Sequence, residues 1–417
     1  MKFFDELKWR GLVKDVTDEE GLRERLERPL TCYCGFDPTG DSLHVGHLQQ
    51  ILLLRRYQIN GHRPIALCGG ATAMIGDPRP TSERALQSLE TIAENAESIK
   101  EQLAKFLDFS VTDGAIMVNN HDWLSKIGIL DFLRDYGKYF NVNYMINKDI
   151  VSSRLETGIS FTEFTYTILQ AADFLHLYDN YDCVLQIGGS DQWGNLTSGC
   201  ELIRKVKTDA KAYGVTSPLI TRSDGSKFGK SEGGKSVWLN PKRTNSYEFY
   251  QFWLNTPDFD VIDYLKRLSF KTVEEINELE QKQLEAPHLR LAQKALAQEM
   301  TQLVHNEEGL RTALKITETL FGGNINELSA KELKEGLYDA PKTEITSGND
   351  LTDVLILAGI AKSKREAREL INNNSIMING IKVNDPTMII NKADAIDQEL
   401  TVIKKGKKYY YVVTFTS

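Results

Sequence analysis

Leu30-Thr31-Cys32-Tyr33-Cys34-Gly35-Phe36-Asp37-Pro38-Thr39-Gly40-Asp41-Ser42-Leu43-His44-Val45-Gly46-His47 passes from an apolar, aromatic run through a turn into a second apolar pattern. The first seven residues read as a buried strand. Pro38 and Gly40 mark a turn, and Asp41 or Ser42 is placed to cap the helix that follows by accepting a hydrogen bond from its free N–H groups. Leu48, Ile51, Leu52 and Leu54 then recur at helical spacing up to Gly61. His44 and His47 are three apart, hence on one face of that helix's first turn. Backbone N–H groups and the helix dipole favour an anion there, so two imidazoles would add donors to a phosphate site.

Outward from this stretch the same alternation continues. Strands are predicted at 64–68, 116–118, 183–187 and 218–221, with helices over about 83–107, 122–135, 161–177 and 191–205. Residues 1–28 read as a short charged helical entry. Strands separated by helices imply an α/β fold with a Rossmann-like parallel sheet covered on both faces. Ligands on such sheets bind at the strand carboxyl ends where strand order reverses, which singles out the loops 36–44, 69–81 and 188–195. From about 245 the pattern becomes all-helical, 321–349 has a linker composition, and a small segment of mixed helix and strand follows. Expected boundaries are a catalytic domain over 1–222, a mobile lysine-bearing loop and connection over 223–244, a helical domain over 245–325, a linker over 326–349 and a small α+β domain over 350–417.

Composition narrows the function classes. At 417 residues the chain can form two or three domains, and a net charge of −8 argues against a protein basic throughout. The last segment is net basic all the same, which suggests a nucleic-acid handle, with a solvated surface as the plain alternative. Five cysteines, an odd number, suggest reduced thiols and an intracellular place. Cys32 and Cys34 share one side of a strand, but no other Cys or His lies at zinc-ligand spacing, so no metal site is expected. No apolar run is long enough for a bilayer, and the charged N-terminus lacks a signal-peptide core, so a cytoplasmic protein with no membrane partner is expected.

A second signal is Asp224-Gly225-Ser226-Lys227-Phe228-Gly229-Lys230-Ser231-Glu232-Gly233-Gly234. Two lysines on a glycine-rich loop can close over a pyrophosphate and neutralise charge that builds on it. Tyr166, Gln170 and Asp173 stand at i, i+4 and i+7 of a predicted helix and so share a face. If Asp173 and Tyr33 converge, they offer an acceptor and a donor to a phenolic hydroxyl. Otherwise the face is a half-exposed helix surface.

His44-Val45-Gly46-His47 and Lys227-Phe228-Gly229-Lys230-Ser231 resemble the two signatures of the class I aminoacyl-tRNA synthetases, with Val for Ile in the first. Tyr33 to Thr39, Gly69-Gly70-Ala71-Thr72, Gly76-Asp77-Pro78, Gly158 to Phe164 and Gln186 to Asn195 extend the resemblance over essentially the whole chain, to the tyrosine-specific bacterial type. The resemblance implies that Tyr33 and Asp173 read the phenol and that Asp77, Tyr166, Gln170 and Gln192 surround the substrate's ammonium and carboxylate. It implies that Thr39, His44, His47, Lys227 and Lys230 are catalytic, and that Cys34, Gly35, Asp37, Gly46, Gln50, Arg84, Gly188, Gly189, Asp191 and Ser231 bind ATP. Two departures stand out: Gln50 occupies a place where some relatives have a smaller hydroxyl residue, and Arg79 to Arg84 lacks a Gly-Lys, leaving Arg84 as the phosphate ligand ahead of Arg79 as a weaker candidate. The resemblance further implies magnesium with the nucleotide, no tightly bound metal or organic cofactor, and a homodimer through Phe161 and the 130–160 region. The helical domain would bind the anticodon arm of tRNA(Tyr). The tail resembles the small RNA-binding fold of the S-four ribosomal type, with Lys364, Arg365, Arg368 and Lys382 as its RNA ligands. Weighed against this are a tryptophan-specific relative, disfavoured by Tyr33 with Asp173 and by the basic tail, and a non-catalytic RNA-binding protein that kept the fold.

Overall fold

The computed structural model describes residues 1–78, 87–111, 114–223, 228–230, 234–406 and 408–416. Its described chain divides into two compact units, Met1–Arg243 with Thr256–Leu296, and Thr244–Asn255 with Ala297–Ser417.

The first unit is built on a sheet of β1 (Asp15–Val16), β2 (Thr31–Phe36), β3 (Arg63–Cys68), β4 (Ile116–Asn119), β5 (Cys183–Gly189) and β6 (Tyr213–Ser217), in the order β1-β6-β5-β2-β3-β4. Every neighbouring pair is parallel except the edge pair β1–β6. Strand order runs outward from β2 to β3 and β4 on one side and from β5 to β6 on the other. The reversal therefore falls between β2 and β5, and a crevice opens beyond their carboxyl ends. Buried β2 and β5 side chains meet Phe174, Leu177, Leu202 and Ile203 from the helices, a core that includes Tyr33 itself.

Helices α1 (Phe3–Trp9) and α2 (Glu19–Arg25) precede β2, and α3 (Val45–Ile59) joins it to β3. α3 buries Leu48, Ile51, Leu52, Leu53, Leu54 and Tyr57, apolar nearly all round, as befits a helix enclosed by protein. α4 (Leu89–Leu103) starts later than predicted, with Ser88 capping it through the Thr91 N–H. The helix predicted at 122–135 is broken into α5 (His121–Leu124) and α6 (Ile129–Asp131), with Gly128 between them in extended conformation. Then come α7 (Val142–Ile146), α8 (Asp149–Ser152), the long α9 (Phe161–Tyr181) and α10 (Trp193–Val206). The strand predicted at 218–221 lies instead at 213–217. Its five residues are all buried against β5, and Pro218, which has no N–H to donate, ends it.

The all-helical pattern after 245 holds: α11 (Ser246–Leu254), α12 (Val261–Leu268), α13 (Val273–Glu285) and α14 (Leu291–Gly322), the last interrupted by non-helical backbone at Asn306. Residues 326–349, read above as a linker, carry α15 (Ala330–Gly336) and β7 (Lys342–Ile345), and β8 (Asn349–Asp350) begins at their end. Ser329 and Glu332 close a reciprocal capping box on α15, and Leu328, Leu333 and Leu337 are buried in a core with Ile316, Val402 and Val412. Polar composition hid this because only one face of each short element is apolar. The tail continues as α16 (Leu351–Leu357), α17 (Lys364–Asn372), β9 (Ile376–Ile378), β10 (Ile381–Lys382), β11 (Ile389–Ile390), β12 (Leu400–Lys405) and β13 (Tyr409–Phe415). A five-stranded sheet, β10-β9-β12-β13-β7, carries the β12–β13 hairpin, and β8 pairs with β11.

Candidate active site

Beyond the ends of β2 and β5 lies a cavity of about 570 Å³. It is lined by Tyr33, Cys34, Gly35, Asp37 and Thr39 from β2 and its turn, and by His44, Gly46, His47 and Gln50 from α3. Asp77, then Tyr166, Gln170 and Asp173 from α9, Gly188 and Gly189 at the end of β5, and Asp191 and Gln192 just after it complete it among the predicted residues. Lys230 lies outside this lining, exposed, its carbonyl accepting from the Arg222 guanidinium at 3.0 Å. Lys227, Ser231, Arg79 and Arg84 fall outside the described residues.

The histidines cap their own helix. His44, in extended backbone conformation, is the N-cap. Its Nδ1 accepts from the Gly46 N–H at 3.0 Å, while Nδ1 of His47 accepts from the His44 N–H at 3.2 Å. Neither Asp41 nor Ser42 caps: Asp41 pairs with the Arg243 guanidinium, and the buried Ser42 hydroxyl bonds the Leu43 carbonyl. Accepting at Nδ1 puts the proton of each neutral ring on Nε2, so the tautomer is set by the helix start. Burial, aided by the adjoining His44, pushes His47 down to about 3, so at neutral pH it is an uncharged donor. A Cβ on Gly46 would lie 2.7 Å from His44 Cε1, so only glycine leaves room for this imidazole. A short strap reinforces the turn: Val45 N–H donates to the Val237 carbonyl at 3.0 Å, Leu239 N–H to Leu43 at 2.8 Å, and Val237 N–H to Gly229 at 3.0 Å. The two signature segments are thereby bonded through residues 237–239.

At the opposite end, two of the predicted residues, Tyr166 and Gln192, donate to the carboxylates of two more, Asp37 and Asp77. The Tyr166 hydroxyl donates to Asp37 Oδ2 at 2.8 Å and Thr72 donates to Oδ1 at 2.7 Å. Gly69 makes this possible, since a Cβ there would sit 1.9 Å from Asp37 Oδ1. Gln192 donates to Asp77 Oδ2 at 2.8 Å. Burial, with the Asp37 and Asp191 charges adding to it, pushes Asp77 up to about 6 against the opposing hydrogen bonds from Gln192 and Asn195. A partly buried pair of carboxylates of this kind suits a cation brought by a ligand.

Deeper in, the Tyr33 hydroxyl is buried and without a hydrogen-bond partner among the described residues. Asp173 is buried beside it, accepting from Asn120 Nδ2 at 2.9 Å and from Trp123 Nε1 at 2.8 Å. Burial outweighs those donors and pushes Asp173 up to about 8. An orphan hydroxyl and a buried carboxyl facing one cavity make a site for a polar group on an otherwise apolar ligand, because leaving the hydroxyl buried and unpaired is costly.

Several contributors escaped the sequence reading. Asn120, fully buried, bridges Asp173 and the Thr72 hydroxyl, so the deep and the charged ends share one network. It and Trp123 follow the carboxyl end of β4, a loop that obeys the same rule as the three singled out above and could have been found by it. Asn195, Gln49, Gln186, Leu219 and Ile220 also matter: Asn195 donates to Asp77 at 3.4 Å, and the other four line the cavity. Gln50, whose role was open, turns its amide toward Ser217 at 2.7 Å. Among the described residues no group of three His, Cys, Asp or Glu side chains could hold a metal ion, and no helix is long and apolar enough to cross a membrane.

Residues 24–322 match the family model of class I tRNA synthetases of the W and Y type, and 332–413 match a tyrosine–tRNA ligase C-terminal domain. The chain is similar to a tyrosine–tRNA ligase of Listeria welshimeri, 54% identical over the full length of both, and to tyrosine–tRNA ligase 1 of Bacillus cereus, 52% identical, again over both full lengths. Among solved structures it resembles a C-terminally truncated mitochondrial tyrosyl-tRNA synthetase of Aspergillus nidulans, with a TM-score of 0.68 and 32% identity over 76% of this chain and 94% of that one.

Proposed function

We propose how this chain, which belongs to the class I tRNA synthetases of the tryptophan and tyrosine type and is a tyrosine–tRNA ligase, divides its reaction among its residues. The enzyme activates tyrosine with ATP to tyrosyl adenylate and pyrophosphate, then passes the tyrosyl group to tRNA. In the proposed arrangement Tyr33 and Asp173 take the substrate phenol. The observation that carries this is the orphan Tyr33 hydroxyl beside the buried Asp173. A substrate without the hydroxyl leaves the Tyr33 hydroxyl unpaired and the buried Asp173 carboxyl facing an apolar ring, of which the choice of tyrosine over phenylalanine is a familiar instance. Asp77, with Tyr166, Gln170 and Gln192, holds the ammonium and orients the carboxylate.

That carboxylate is ionised at neutral pH, so attack on the α-phosphate calls for positioning rather than a general base. Cys34, Gly35, Asp37, Gly46, Gln50, Gly188, Gly189 and Asp191 would seat the nucleotide. Thr39 and the Nε2–H donors of His44 and His47 would take up charge developing on the leaving pyrophosphate, with Lys227 and Lys230 closing from the other side and Arg84 and Ser231 at the phosphates. The acids in the cavity are already engaged with protein donors, which fits magnesium arriving on the phosphates of ATP, where it neutralises charge, rather than on a site of the chain.

The same reading extends to partners. Ile129, Leu130, Leu133, Val142, Tyr144, Leu155 and Phe161 are large, apolar and exposed, from 50% for Leu133 to 76% for Leu130. Such a patch favours a second copy of the chain as its cover. The exposed Lys364, Arg365, Arg368 and Lys382 would contact tRNA(Tyr), and the cytoplasm is the proposed location. The test is amino-acid-dependent ATP–pyrophosphate exchange across all twenty amino acids. Exchange with tyrosine alone is expected; exchange driven by tryptophan, or none, would overturn the reading.

A further inference from the structure

Lys148, between α7 and α8, has no part in the roles above, yet its partly buried ammonium spends all three donors on the two helices that wall the charged end of the cavity. It donates to the Thr167 hydroxyl of α9 at 2.9 Å, to the Gly194 carbonyl of α10 at 2.7 Å, and to the Ser198 hydroxyl of α10. Thr167 and Ser198 are themselves buried. Thr167 directly follows Tyr166, whose hydroxyl bonds Asp37. Gly194 stands between Gln192 and Asn195, the two residues that donate to Asp77.

We propose that Lys148 is a positioning residue for the substrate amino group: it ties the first turn of α10 to α9 and so holds Gln192 and Asn195 on Asp77 opposite Tyr166. The inference rests on the reading that Asp77 and Tyr166 receive that ammonium. A charge-assisted clamp suits the task because its three hydrogen bonds point in different directions, whereas an apolar contact of the same volume would leave α10 free to shift by fractions of an ångström. Such a shift matters little to a ring lying in the deep end of the cavity. It matters a great deal to a carboxylate that must meet an ammonium at hydrogen-bond distance.

The test uses the full-length enzyme, Lys148→Met, and two ligands: tyrosine, and desaminotyrosine, which is tyrosine without its amino group. In pyrophosphate exchange the tyrosine KM should rise roughly tenfold, the loss expected for a misaligned charged hydrogen bond, with the KM for ATP within about twofold. The inhibition constant of desaminotyrosine should stay unchanged. Asp77→Asn should split the two ligands the same way. If Asp77→Asn splits them and Lys148→Met does not, the inference fails and the pocket assignment stands; if Asp77→Asn does not split them, the pocket assignment itself fails. Equal weakening of both ligands by Lys148→Met would show a residue that merely holds the fold, and would also overturn the proposal. Should that variant not fold, Ser198→Ala removes one arm of the clamp and must give the same split in smaller measure.

Discussion

At the residue scale, environment sets what each side chain can do. Asp77 is an acid whose proton is held up to about 6 because burial penalises its charge. If Asp77 receives the ammonium of tyrosine, as proposed, it must be ionised to do so, and proton and substrate compete. Tyrosine affinity is therefore expected to be flat above that value and to fall roughly tenfold per pH unit below it, since each unit makes the ionised form about ten times scarcer. Equilibrium dialysis with labelled tyrosine between pH 5 and 8 reads this directly, on the order of one slope in the logarithm of Kd; an affinity independent of pH would refute it. Tyr33 gives a second case. Its hydroxyl has no partner among the described residues, so Tyr33→Phe removes an unpaired buried group and should raise the melting temperature or leave it unchanged, not lower it. Tyrosine binding should weaken by about 0.5–1.5 kcal/mol and phenylalanine binding should not, a contrast that competitive pyrophosphate exchange measures.

At the scale of elements, the start of α3 does two jobs with the same atoms. Capping uses Nδ1 of both histidines, which places the ring proton of each on Nε2. Gly46→Ala would push a Cβ against the His44 ring and break the cap. Stability should fall by about 1 kcal/mol, as for a lost N-cap. Formation of the adenylate should slow by on the order of a hundredfold, the scale of a displaced charge-stabilising donor. Tyrosine binding, at the far end of the cavity, should hold within about twofold. Rapid-mixing fluorescence separates the two; equal losses in binding and rate would contradict the division of labour. The strap over 237–239 lies outside any pattern the sequence displays, because a pair of isolated bridges needs no alternation or periodicity to form.

At the scale of the molecule, the sites proposed for tyrosine and ATP fall in the first unit and the basic tail in the second. A chain ended at residue 325 should keep pyrophosphate exchange and lose charging of tRNA, as measured with labelled tyrosine and transcript. It should also be less soluble, because Tyr247, Ile316 and Leu320 lose the partners from 328–337 and 400–412 that cover them. Full charging by the shortened chain would refute the assignment of the tail. What the sequence determined by itself rests on local rules. Strand and helix periodicity, a turn of Pro38 and Gly40, and residue types suited to phosphate and ammonium were readable because each is decided within a few residues. The i, i+4, i+7 face of α9 was readable too, and Tyr166, Gln170 and Asp173 do meet in one cavity. Only the tertiary structure decided which partners close those groups off. His44 rather than Ser42 caps α3 because Ser42 is drawn to the Leu43 carbonyl and to Gln102, a residue 60 positions away. Asn120 and Trp123 reach Asp173 across about 50 residues of chain, distances at which no spacing rule applies. Burial, which only folding creates, then turns ordinary carboxyls into the raised Asp77 and Asp173 that the chemistry of this cavity depends on.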